Sequence, residues 1–240
     1  MAVLGNLERR LNRMYPGKLP LAVACWLALW ALEPASAVVL LNENFDRPDG
    51  ALEGQTPTPG PGTAWNAGAG GGVNPVQVSG GAAVLVQTQA INGEDIASNF
   101  GDQVSPTVVY ARFDFSLPAA DNADLAPDPE SGDPGVGTEG LWFVTLREQS
   151  ANSTLRARMG VLAPEAGGDF RLAISADSGD LFSDGQIWAT ELSFDTVYRA
   201  VISYNTSSGD SKLWLDPVDE TSTSLTDTGG VGIQIDRFGL

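Results

Sequence analysis

Histidine is absent from all 240 residues. That excludes Ser-His-Asp hydrolysis, Cys-His proteolysis and every histidine-ligated zinc or iron site. Cysteine occurs once, at Cys25, inside an apolar segment near the N-terminus. With that segment removed, neither disulfides nor thiol chemistry are available. Basic residues are scarce as well: 13 Lys and Arg stand against 30 Asp and Glu, a formal net charge of −17. Such a chain repels nucleic acid and anionic membrane, since phosphate contacts need Lys and Arg. The acidity reads as solubility, or as carboxylates that hold calcium. After the N-terminal segment no run is apolar and long enough to span a membrane, which takes about 20 residues.

Arg9, Arg10, Arg13 and Lys18 precede the 14-residue apolar run Leu19–Leu32, and "EPASA" follows. A basic stretch, a short apolar stretch and a small-x-small site make a secretory signal peptide. Cleavage falls after Ala37, with Ala35 and Ala37 as the small residues of the site. Twin-arginine export through Arg9-Arg10 and lipidation at Cys25 are rival readings that fit less well. The chain therefore divides into a signal peptide, 1–37, and one exported domain, 38–240, of about 200 residues, ample for a single core.

Within the domain the dominant pattern is apolar–polar alternation, the signature of half-buried strands. "VVYARFDF" (108–115) places Val109, Ala111, Phe113 and Phe115 on one face and Tyr110, Arg112 and Asp114 on the other. "TLRARMG" (154–160), "DFRLAIS" (169–175), "VYRAVISY" (197–204) and "GIQIDRF" (232–238) repeat it. "LWFVTL" (141–146) is apolar on both faces, as a central strand would be. Weaker candidates are "VVLLNENF" (38–45), "AAVLVQ" (82–87) and "QIWATEL" (186–192). No amphipathic helix stands out. Ser-Gly-Asp and Asp-Gly turns punctuate the strands, which predicts an all-β, two-sheet antiparallel sandwich. Residues 54–75 are too rich in Gly and Pro for anything but loop, with Trp65 plugging it onto the domain. Residues 118–138 form a long acidic loop with four prolines.

"SKLWLDP" (211–217) sets Leu213 and Leu215 inward and Lys212, Trp214 and Asp216 outward. A tryptophan between charges can be a sugar platform. As the second strand of a hairpin with "VYRAVISY", it reads instead as a cover for its sheet. Of the other tryptophans outside the signal segment, Trp142 is assigned to the core and Trp65 and Trp188 stay undecided.

The hairpin "DTVYRAVISYNTSSGDSKLWLDP" (195–217) resembles the paired-strand signature of concanavalin A-like jelly rolls, the laminin-G type in particular. Tyr198, Val201, Ile202 and Tyr204 match the first strand, Gly209 the turn, and Leu213 to Pro217 the second. "NENFDRPDGALEGQ" (42–55) resembles the start of exported bacterial proteins common in planctomycetes and verrucomicrobia, which often carry C-terminal sorting anchors. "GIQIDRFGL" (232–240) resembles a strand near their end, usually followed by another. The resemblance implies a jelly-roll fold and a missing last strand, and hence an open strand edge at 232–238 inviting a partner.

Glycoside hydrolases on that fold carry carboxylates in a Glu-x-Asp-x-x-Glu arrangement, about 5 Å apart in retaining enzymes. Here Glu191 and Asp195 lie four apart with no carboxylate between, and Glu43 and Asp46 would face opposite ways. For calcium, Asp121, Asn122, Asp124, Asp128, Glu130 and Asp133 crowd one loop, without the spacing of an EF-hand. A solvated acidic loop is the plainer reading; calcium is the one cofactor left open. The sequence thus points to an exported, non-catalytic sandwich that binds extracellular polysaccharide, cell-surface glycan or another extracellular polymer. It would act in the periplasm, at the cell surface or outside. A structural or adhesive surface protein and a glycosidase with an atypical carboxylate pair are the alternatives.

Overall fold

The structure is a computed structural model that describes residues 38–68, 74–86, 94–119, 140–148 and 154–240. Residues from Val39 to Leu240 form one unit. Residues 1–37, with Ala35 and Ala37 of the expected cleavage site, and nearly all of the acidic 118–138 loop lie outside the described residues. Among the described residues no helix is long and apolar enough to cross a membrane.

The strands follow in chain order. Four short ones come first: β1 (Gly50–Ala51), β2 (Asn66–Ala67), β3 (Gln77–Ser79) and β4 (Ala82–Val84). Then come β5 (Ile96–Gln103), β6 (Val108–Phe115), β7 (Leu141–Glu148), β8 (Thr154–Leu162) and β9 (Arg171–Ser175). The last are β10 (Gln186–Ile187), β11 (Tyr198–Asn205), β12 (Ser211–Leu215), β13 (Ser224–Asp227) and β14 (Ile235–Gly239). Every pairing is antiparallel, in sheets ordered β10-β9-β8-β7-β14-β5-β2, β13-β12-β11-β6 and β1-β3-β4. The fold is an all-β antiparallel sandwich, with a small third sheet added to the two expected.

Alternation explains the packing of the two larger sheets. Val109, Ala111, Phe113 and Phe115 of β6, Ala200, Ile202 and Tyr204 of β11, and Leu213 and Leu215 of β12 all turn to the main core. From the seven-stranded sheet come Val144 and Leu146, Ala157 and Met159, Leu172 and Ile174, and Ile235. Aromatic pairs bridge the layers, with Phe115 and Phe143 5.6 Å apart and Phe113 and Phe238 6.1 Å apart, spacings at which tilted rings attract. Leu52, Val76, Val78 and Trp65 extend the core toward the third sheet.

Trp65 plugs its Gly/Pro-rich loop as the sequence suggests. It is 1% exposed, and its Nε1 donates to Glu43 Oε2 at 3.1 Å, while Glu43 also pairs with Arg47. Two expectations fail. Residues 38–45 form no strand but one bridge, Glu43 to Pro59. Their neighbour is the proline-rich stretch 57–61, and prolines have no N–H to give a ladder. The C-terminal strand offers no open edge either, because β14 lies inside its sheet, paired with β7 on one side and β5 on the other. Leu240 exchanges both backbone hydrogen bonds with Ile96, at 2.9 and 3.0 Å.

Candidate functional site

The polar sides of three alternating strands make the outer face of the four-stranded sheet. In register, Arg112 of β6 lies beside Val201 of β11, and Val201 beside Trp214 of β12. One row along, Tyr110 lies beside Ser203 and Ser203 beside Lys212. Val201 and Ser203 are short, so the larger side chains on the flanking strands close over β11. The Tyr110 and Trp214 ring centroids sit 6.2 Å apart at 35°. The Lys212 ammonium lies 5.9 Å from the Trp214 ring, a cation–π contact.

The chain leaving β12 builds the wall. Asp216 has φ +46°, and its Oδ1 accepts from Arg199 N at 2.9 Å while its own N–H donates back to Arg199 O at 2.7 Å. That clamp turns Pro217–Glu220 over the sheet. Asp219 takes the Thr221 N–H at 2.8 Å and the Thr221 hydroxyl at 2.6 Å, bonds that hold its carboxyl below the usual range. The result is an open groove of about 390 Å³ lined by Tyr110, Arg112, Arg199, Val201, Trp214 and the 217–220 segment. That volume suits a small ligand or a few residues of a polymer.

Exposure separates the two rings. Trp214 is 4% exposed and forms part of the floor, whereas Tyr110 is 49% exposed and presents its ring to solvent. Burial and then the Glu220 carboxylate push the Tyr110 hydroxyl up from its ordinary value, so it stays a proton donor. Arg199 binds Asp114 through Nε at 2.9 Å and Nη2 at 3.3 Å, and this bond to the guanidinium lowers the Asp114 carboxyl. The groove therefore combines an exposed aromatic face, apolar Val201 and Val218, and donors and acceptors on its rim. A pyranose ring needs that mixture, having apolar faces and a hydroxylated edge.

The remaining sequence candidates are placed elsewhere. Trp188 packs against the main core, partly buried. Trp142 is not in the main core. It lies partly buried against Leu162, Ala173 and Leu181, with the Arg158 guanidinium 5.7 Å from its ring centroid. The cause is local: β7 shifts register between Trp142 and Val144, and Trp142 pairs with Gly160, where a side chain would strike Leu141 O. Three of the four carboxylates of the two sequence-derived pairs accept hydrogen bonds from other groups. Glu191 accepts the backbone N–H groups of Glu165, Ala166 and Gly168, and Asp195 Oδ1 accepts from Ala119 N at 3.2 Å. Glu43 is taken by Arg47, Trp65 and Phe45 N. The calcium candidates Asp121, Asn122, Asp124, Asp128, Glu130 and Asp133 lie outside the described residues. Among the described residues no three Asp, Glu, His or Cys side chains gather as metal ligands.

Sequence reasoning missed Tyr110, Arg112 and Arg199 as site residues. Their outward alternation was readable, but it marked them only as a polar face. Their meeting with Trp214 depends on β6 pairing with β11 across about 90 residues of chain, which local periodicity does not encode. No protein-family model matches the chain, and no curated protein matches it in sequence.

Proposed function

We propose that the chain is an exported, non-catalytic sandwich of the concanavalin A-like, laminin-G-resembling type that binds glycan or another extracellular polymer. The observation that carries this reading is the groove itself, with a half-exposed Tyr110 ring over buried Trp214 and polar groups at its rim. Aromatic faces bury the apolar side of a sugar, and the flanking groups exchange hydrogen bonds with its hydroxyls. The basic-apolar-small N-terminal pattern supports export. The commitment of Glu43, Glu191 and Asp195 to backbone and side-chain partners supports a non-catalytic role. The test is a glycan array run with and without calcium, comparing the wild type with Tyr110→Ala. Binding that weakens about tenfold or more in Tyr110→Ala is expected, since base- or sugar-facing aromatics contribute on the order of one factor of ten. No binding under either condition would sink the reading.

One observation favours the alternative, a structural or adhesive module. Among the described residues β6 is an edge strand of eight residues, paired only with β11. An unpaired edge of that length is a template for another strand. Concentration-dependent assembly that a proline placed in β6 abolishes, with no glycan bound by the wild type, would favour it instead.

A further inference from the structure

We infer that the groove selects anionic sugars, with the Arg112 guanidinium receiving a carboxylate or sulfate group of the ligand. This rests on the groove being the glycan site proposed above, and it adds the chemical class. Carboxylates outnumber cations by 30 to 13 in this chain, so a cation without a carboxylate partner is not explained by scarcity. Arg47, Arg147, Arg171, Arg199 and Arg237 each have one within 4 Å, while Arg156 donates to Leu155 O and Arg158 and Lys212 lie against the Trp142 and Trp214 rings. Among the described residues Arg112 makes no ion pair, hydrogen bond or ring contact, although it stands in the groove lining beside Val201.

The nearby carboxylates are committed to other groups. Asp114 is held by the fork of Arg199, close enough to Arg112 to feel its charge but bonded to its neighbour. Asp216 accepts from Arg199 N, and Asp219 is held by Thr221. Glu220 faces the Tyr110 hydroxyl. Five N–H donors in a planar fork are thereby left at a groove whose charged members are already committed to other groups. A guanidinium matches a planar carboxylate bidentately and also binds sulfate esters. The aromatic face of Tyr110 positions the ring that carries the acid.

The experiment measures affinity by calorimetry for trigalacturonate, its neutral methyl ester and a sulfated trisaccharide. The proteins are the wild type, Arg112→Gln, Arg112→Lys and Tyr110→Ala. An acidic trisaccharide should bind wild type about tenfold tighter than the ester, because a charge-assisted hydrogen bond is worth roughly that factor or more. Arg112→Gln should bring the ratio of acidic to neutral affinity close to one, and Arg112→Lys should keep part of it. The carboxylate and sulfate arms show which group the fork prefers. If the ester binds as tightly as both acidic ligands, or the preference survives in Arg112→Gln, the anion inference is overturned while glycan binding stands. If no ligand binds wild type, the anion inference falls, and the glycan array decides the glycan reading separately. Tyr110→Ala should weaken acidic and neutral ligands alike, which separates loss of the groove from loss of the charge.

Discussion

At the residue scale, two tryptophans show that burial and bonding are separate contributions. Trp214 and Trp65 are both buried, but only Trp65 has a partner for its indole N–H. Trp214→Phe therefore gives up ring area and part of the Lys212 cation–π contact but no hydrogen bond, and should cost under about 1.5 kcal/mol. Trp65→Phe also leaves the Glu43 carboxylate short of a donor, a loss of about 1.5–3 kcal/mol on top. Urea titrations of the two variants should rank them in that order. Equal midpoints would mean that the Trp65–Glu43 bond contributes nothing. Glu191 is the second case. The backbone N–H of Gly168, then those of Glu165 and Ala166, hold its carboxyl below the ordinary value. A depressed folded value means that its stabilisation is present above the unfolded value, about 4.3, and is lost as pH falls through the folded one. Glu191→Gln should flatten the acid side of a plot of urea midpoint against pH. Parallel curves for variant and wild type would rule the contribution out.

At the element scale, the β11–β12 hairpin carries both the fold and the groove. Its turn depends on Gly209, which has φ +83° and lies where a Cβ would meet the Gly230 and Val231 backbone at 2.5–2.6 Å. Tyr204 anchors the same region, donating its hydroxyl to Val231 O at 2.8 Å and accepting from Ile233 N at 3.0 Å. Gly209→Ala meets a backbone penalty and a backbone clash together, so a loss on the order of 3 kcal/mol is expected from thermal or urea unfolding. A neutral result would show that the 230–233 segment moves aside freely. This hairpin was legible in the sequence because both strands alternate cleanly, and β6, β8 and β9 were legible for the same reason. The eight residues of β5 were not. Ser98, fully buried, interrupts the apolar face and is satisfied by donating to Thr63 O at 2.6 Å, while Asn99 Nδ2 donates to Asp236 Oδ2 at 3.1 Å. Buried polar groups with distant partners look like loop when their partners are unknown. The strand is made by its pairing with β14, not by its own composition.

At the scale of the whole molecule, the groove was only half legible. The outward faces of "VVYARFDF" and "SKLWLDP" were readable, but the seat they share is created by β11 lying between β6 and β12 and by the turn at Asp216. Charge is the other property of the whole. A net charge of −17 makes the folded chain repel itself, while its exposed ion pairs, such as Arg199–Asp114, add little in water. Salt acts on both: it weakens exposed pairs, which opposes stability, and it screens long-range repulsion, which favours the compact state. With carboxylates more than twice as numerous as cations, repulsion is the larger effect. Raising NaCl from about 10 mM to 150 mM shortens the screening length from about 30 Å to about 8 Å, so the repulsion between opposite sides of the sandwich is removed first. The urea midpoint should therefore rise with salt over that range and then level off. A fall would mean that the local pairs, not the excess of negative charge, set the electrostatic balance of the fold.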